Sequence, residues 1–173
     1  RPSVVYSVDD NFTTNFMTLL NRLPIFPLYY EGKTKFAPIH CSDLTDVIFN
    51  IISKNVNSKI IECVGPEIIS FKEILEKLLN LIGKKRLLVP MPLPIAQMSA
   101  RFFEIMPKPI LTRDQLKLLK YDNVLSGKYK SNSDIGVPSL RYFDEEVKKY
   151  CYMWREGGQF STEKYTAGVN SKD

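Results

Sequence analysis

The apolar positions of this chain change period at one place, and the rest is read outward from it. Over 33–39 the bulky residues Thr34, Phe36 and Ile39 predict a strand, with Pro38 marking an edge strand or a strand end. From Leu44 onward, Leu44, Val47, Ile48, Ile51 and Ile52 recur at i, i+3, i+4, i+7 and i+8, which is one stripe of a buried helix over 44–53. Ser42 or Asp43 can cap its first turn, and Asp46 adds negative charge near the positive helix end. A strand therefore runs into a helix through a polar elbow, His40 to Asp43. In α/β folds such strand ends are where ligands bind.

Upstream of this elbow, Val and Tyr make 1–7 a strand. Asp9, Asp10 and Asn11 are cap candidates for a helix that carries Phe12, Phe16, Leu19 and Leu20 and stops at Pro24. A short extended piece over 27–30 and a turn at Glu31-Gly32 lead back to the elbow. Downstream, 59–64 reads as a short strand closed by Gly65-Pro66. Ser70-x-x-Glu73 is a capping box with Ile69 and Ile74 placed as a hydrophobic staple. Phe71, Ile74, Leu75, Leu78, Leu79 and Ile82 form the apolar face of the helix it opens, and Gly83 is placed to end it in the left-handed conformation. A strand stub over 86–89 is ended by Pro90, Pro92 and Pro94. A helix over 95–106 follows, and Thr112-x-x-Gln115 opens another to Lys120. The stretch 121–138 reads as loop, 139–154 as a last helix, and the residues from Gly157 on as a polar, frayed tail. The expected division is thus 1–156 and 157–173, with no internal repeat. Strands alternating with helices argue an α/β fold.

Composition changes this picture little: 44% hydrophobic and 25% charged residues are ordinary for a globular chain of 173 residues. No run of about 18 apolar residues marks a membrane span. Cys41, Cys63 and Cys151 have no metal-ligand spacing, and their odd number favours reduced thiols, hence a cytoplasmic setting. The charge is uneven: from Lys84 to Lys130 ten Lys and Arg face three acids, a net +7, which leaves −2 for the rest of the +5 chain. Such a segment can meet a phosphate-bearing ligand or an anionic membrane surface, or it can be a solvated face. No nucleic-acid-binding signature accompanies it, so no nucleic-acid partner is expected.

Several residues carry candidate chemistry. His40 is the one histidine of the sequence. It reads either as a hydrogen-bonded structural residue at a strand end or as a ligand contact, and Asp43 is open between helix cap and ligand contact. Arg113 follows a helix N-cap by one residue, where a guanidinium and free backbone N–H groups can jointly hold an anion; Arg86 and Arg101 are weaker candidates of that kind. No metal site is read. Tyr29-x-x-x-Lys33 has the form of a phenol–ammonium acid–base pair, but Pro27 and Gly32 deny it the helical turn that would put both side chains on one face. The eight glycines include no G-x-G-x-x-G phosphate turn.

The segment Phe36-x-Pro38-Ile39-His40-x-x-Asp43-Leu44 resembles the "hydrophobic-His-Val-x-Asp-Val" segment of extended short-chain dehydrogenase/reductases, and RPSVVY at the start resembles the Arg-Pro segment after the sixth strand of that fold. GKTKFAPIHCSD, VGPEIISF, LTRDQ with YDN after it, and CYMWREGG are similar to the atypical branch that contains the NAD(P)H-binding accessory subunit of respiratory complex I and its α-proteobacterial homologues. The resemblance implies the C-terminal portion of a Rossmann-like domain, with the N-terminal dinucleotide-binding half missing. It implies NAD(P)H in the full-length protein, in that branch a structural cofactor, and none held tightly by this portion. It places Pro2, Ser3 and Val4 beside the nicotinamide, although Ser7 stands where the family often has Gly, and His40, Asp43, Arg86 and Arg113 on the substrate side. Whether the full-length protein is an enzyme stays open. The rivals are a nucleoside-diphosphate-sugar epimerase, dehydratase or reductase, and a non-catalytic module that docks on a respiratory complex or membrane face. The expected partners are the missing half or a second copy, with respiratory complex I and an anionic membrane surface as further candidates. A peripheral place on the inner membrane would follow from the latter two.

Overall fold

The computed structural model describes residues 1–54, 60–92 and 118–160. The predicted helix over 95–106, the capping box at Thr112 and the candidates Arg101 and Arg113 lie outside these residues, as does the tail from 161 on.

The chain opens with strand β1 (Val5–Tyr6), whose approach, residues 1–3, is bridged to Cys63. Helix α1 (Thr13–Arg22) is capped by Asp10: its carboxylate accepts from the Thr13 amide at 2.5 Å and the Thr13 hydroxyl at 2.6 Å. Leu23 leaves the helix in extended conformation, as a residue before proline prefers. Strand β2 (Ile25–Leu28) leads through a turn to β3 (Lys35–Phe36), β4 (Ile39–His40) and helix α2 (Cys41–Ser53). After β5 (Ile61–Glu62) and β6 (Ile69–Ser70) comes α3 (Phe71–Ile82), which has both bonds of the expected capping box, Ser70 N–H to Glu73 at 2.6 Å and Glu73 N–H to Ser70 at 3.2 Å. Gly83 closes it at φ 67°, the left-handed value that glycine adopts without strain. Among the described residues, strand β7 (Leu87–Pro90), strand β8 (Lys130–Ser131), helix α4 (Phe143–Lys148) and 3-10 turns over Cys151–Trp154 and Gly158–Phe160 follow.

Among the described residues three strand pairings are parallel and one is antiparallel. β2 runs beside β7 in the register Ile25↔Leu87, and β3 pairs antiparallel with β6. β1 pairs with β4 through Tyr6↔His40, residues 1–3 exchange hydrogen bonds with Cys63 at 2.9 Å, and β5 pairs with β8. Four parallel segments are therefore linked in the order β4, β1, β5, β8. Gly65 sits so close to this array that a Cβ there would lie 1.7 Å from the Pro38 carbonyl oxygen, an approach that only glycine permits.

The interior divides in two. The larger cluster joins α1, β2, α3 and α4 through residues such as Met17, Leu20, Phe26, Leu75, Leu78, Phe143 and Val147. The smaller joins α2 to the parallel segments through Ile39, Val47, Ile61 and Cys63, with Leu44 and Ile51 packed against it.

The structure corrects several sequence expectations. α2 begins at Cys41 rather than beyond Ser42. Ile48 and Ile52 do not join a buried stripe; they are 49% and 74% exposed, with Phe49 at 71%. β1 pairs with β4, and the residues just before it bond to Cys63. The supposed loop 121–138 contains β8, whose two residues are too few to show a period. The last helix is shorter than 139–154, because Tyr150 at φ −128° leaves helical geometry before the 3-10 turn.

Candidate functional site

The elbow between β4 and α2 is built as a closed junction. His40 holds the N-cap place expected of Ser42 or Asp43, because its extended backbone turns the imidazole back over the helix start. Its Nδ1 accepts from the Ser42 amide at 3.3 Å, which places the neutral ring's proton on Nε2, 3.9 Å from the Glu146 carboxylate. The Tyr6 ring meets the imidazole edge-on at 5.3 Å, and Tyr6 in turn donates its hydroxyl to the Arg141 carbonyl at 3.2 Å. Burial lowers the His40 pKa against the opposing pull of Glu146, and burial raises that of Tyr6.

Asp43 is buried, and its carboxylate takes the Arg141 guanidinium and, at 3.2 Å, the Arg141 amide. The Asp43 hydrogen bond is the main cause of the raised Arg141 pKa. Asp46 adds a second acid 3.5 Å from that guanidinium. Asp43 thus ties α2 to the segment entering α4 rather than capping its own helix. Arg86 donates to the carbonyls of Leu20 at 2.9 Å and Asn21 at 3.0 Å, so it serves as a cation on the last turn of α1. Tyr29 is buried in a turn whose next two residues have φ of 51° and 58°, so Tyr29 and Lys33 share no helical face.

Ser3 is buried and joins three segments: its hydroxyl donates to the Asn123 carbonyl at 2.7 Å and accepts from the Ala37 amide at 3.3 Å. Pro2 lies in the bridge to Cys63, and the Val4 carbonyl accepts from the Ile39 amide at 2.9 Å. Val4 also lines a cavity of about 440 Å³ that has Phe12, Phe16, Leu19, Phe36 and Leu119 among its walls. Asn11, Asn15, Leu118, Tyr121, Asp122 and Asn123 complete its lining. Phe12 and Phe16 stand edge to face at 5.0 Å, and Phe12 lies 6.1 Å from Phe36. Asp122 uses one carboxylate oxygen on the Lys35 amide at 2.8 Å.

Of the residues expected at a site, Ser3 and Val4 reach or adjoin this cavity, His40 and Asp43 meet at the elbow, and Arg86 stands apart from both. The cavity walls on α1 escaped notice because Phe12, Phe16 and Leu19 carry the same period as core residues. Among the described residues no group of three or more His, Cys, Asp or Glu side chains is arranged to hold a metal, and no helix is long and apolar enough to cross a membrane.

No protein-family model matches the chain. Among curated proteins it is similar to the mitochondrial NADH dehydrogenase [ubiquinone] 1 alpha subcomplex subunit 9 of Arabidopsis thaliana, with 24% identity over 169 residues, 91% of this chain and 42% of that protein. The chain resembles the atypical extended short-chain dehydrogenase/reductases. It spans less than half the length of that relative. Among solved structures, DdhaC shares its fold at a TM-score of 0.50 and 14% identity, over 88% of this chain and 50% of that one. TunA, described as an NAD-dependent NDP-hexosamine 5,6-dehydratase of tunicamycin biosynthesis, aligns at 0.48 and 14% over 89% and 44%. The α/β architecture agrees with the C-terminal portion of a Rossmann-like short-chain dehydrogenase/reductase domain.

Proposed function

We propose that this chain is the C-terminal part of an NAD(P)-binding protein similar to the accessory subunits of NADH:ubiquinone oxidoreductase, and that the dinucleotide in that protein is structural. The observation that carries this reading is the similarity to the plant complex I subunit, which runs through 91% of the chain rather than through one motif. The elbow supports it: His40, Tyr6 and Asp43, the groups best suited to acid–base work, are all engaged in holding β4, α2 and α4 together. In this reading Pro2, Ser3 and Val4 border the cofactor held by the remainder of the protein. Ser3 then sets the distance between that strand and the chain at Asn123.

Docking on a respiratory complex belongs to the same proposal, and the outer face of α2, with Ile48, Phe49 and Ile52 exposed, is the surface offered for a contact. The test uses the longer protein that contains this chain. Purified protein should retain NAD(P)H in near-stoichiometric amount, leave it unconsumed on incubation with nucleoside-diphosphate sugars, and migrate with NADH dehydrogenase on native gels. Turnover of a nucleoside-diphosphate sugar would establish the enzyme reading in its place.

A further inference from the structure

We infer that the cavity between α1 and the segment 118–123 binds an uncharged, largely apolar small molecule that carries one hydrogen-bonding group. The inference rests on the lining alone and holds whether or not a dinucleotide occupies another part of the protein.

The cavity, of about 440 Å³, falls in the range of roughly 300–1,000 Å³ usual for ligand sites. Its interior is hydrocarbon and aromatic: Val4, Phe12, Phe16, Leu19, Phe36 and Leu119. Three phenyl rings set at angles of 84° and 56° to one another present both edges and faces, which suits a flat ring or a chain better than a sugar. Polarity is confined to the mouth. Asn11 and Asn15 stand one helical turn apart on the approach to α1 and its first turn, so both amides can address a single group at the entrance.

Charge narrows the class of ligand. Among the described residues Asp122 is the one charged side chain in the lining, and it is an acid. Lys120 is adjacent in sequence but sets its ammonium 5.7 Å from the centre of the Tyr121 ring and is not part of the wall. A phosphate or diphosphate would enter apolar surface beside a carboxylate with no cation among the described lining residues to pair it, a costly burial. A neutral carbonyl or hydroxyl compound meets the amides of Asn11, Asn15 and Asn123 among the polar lining groups, and hydrocarbon from the remaining walls.

N-Phenyl-1-naphthylamine, a neutral aromatic probe, tests this on the full chain. Its fluorescence should rise saturably with one site per chain, 1-naphthamide should displace it, and uridine diphosphate should not. Asn15→Trp and, separately, Leu118→Trp place an indole at the exposed mouth; each should weaken the probe by about tenfold or more at an unchanged thermal midpoint. Displacement by uridine diphosphate would overturn the charge argument. Absence of saturable binding, or probe affinity untouched by both tryptophan variants, would overturn the site.

Discussion

Arg141→Ala tests whether the elbow is held by a buried ion pair. The Asp43 carboxylate is 5% exposed, whereas the Arg141 side chain is 38% exposed, so the two partners are not equivalent. Removing Arg141 leaves a buried carboxylate with one remaining donor, the backbone amide of residue 141 at 3.2 Å. Breaking a buried pair from this side costs about 3–5 kcal/mol, and the partial exposure of the guanidinium places the expectation near the lower end, about 3 kcal/mol. For a chain of this length that corresponds to a fall in thermal midpoint of about 6–12 °C. Asp43→Asn should cost less, about 1–2 kcal/mol, because the freed guanidinium is rehydrated and the amide oxygen still accepts from the backbone. The double variant should be more stable than Arg141→Ala alone, since the uncompensated charge has gone. Urea denaturation of the four proteins at pH 7 measures this. An Arg141→Ala variant within about 0.5 kcal/mol of wild type, or a double variant no more stable than Arg141→Ala, would refute the argument.

Other outcomes follow from the same structure. Leu78 is fully buried between helices, so Leu78→Asp should abolish the cooperative thermal transition followed by circular dichroism; an unchanged midpoint would contradict its placement. His40 is held neutral by burial, so its folded pKa lies below the value near 6.5 that it takes when unfolded. The unfolded chain then binds the extra proton first, and stability present above about pH 6.5 is lost as pH falls toward the folded pKa. His40→Asn, which keeps an acceptor for the cap but does not titrate, should flatten the fall below about pH 6.5, and an equally steep fall would exclude His40 as its source. The chain should self-associate at low micromolar concentration by light scattering, and Phe49→Glu with Ile52→Lys should reduce it to monomer; a monomeric wild type would show that the outer face of α2 needs no partner.

What was legible in the sequence depended on how local the determining physics is. The capping box at Ser70 and Glu73, the closing glycine at Gly83 and the apolar face of α3 are set by neighbours within a turn or two, and all stand as read. The start of α2 was misplaced because an imidazole takes the cap in place of the usual Ser or Asp, a choice fixed by its packing against Tyr6 and Glu146 far along the chain. β8 and the Asp43–Arg141 pair depend on contacts between residues about 70 and 98 positions apart, which no periodicity encodes. Apolar spacing marked α2 as a buried helix but could not say which flank stays open. The cavity was hidden for a related reason: a phenylalanine that walls a pocket and one that fills a core have the same spacing.

In the function proposed above, this chain is the substrate side of a dinucleotide-binding protein and does not itself hold the dinucleotide, since its sequence has no glycine-rich turn to cradle the pyrophosphate. Titration calorimetry of NADH and NADPH, run side by side on this chain and on the longer protein that contains it, addresses that directly. The account predicts binding by the longer protein and no measurable heat of binding from this chain. A dissociation constant on the order of micromolar for this chain alone would contradict it.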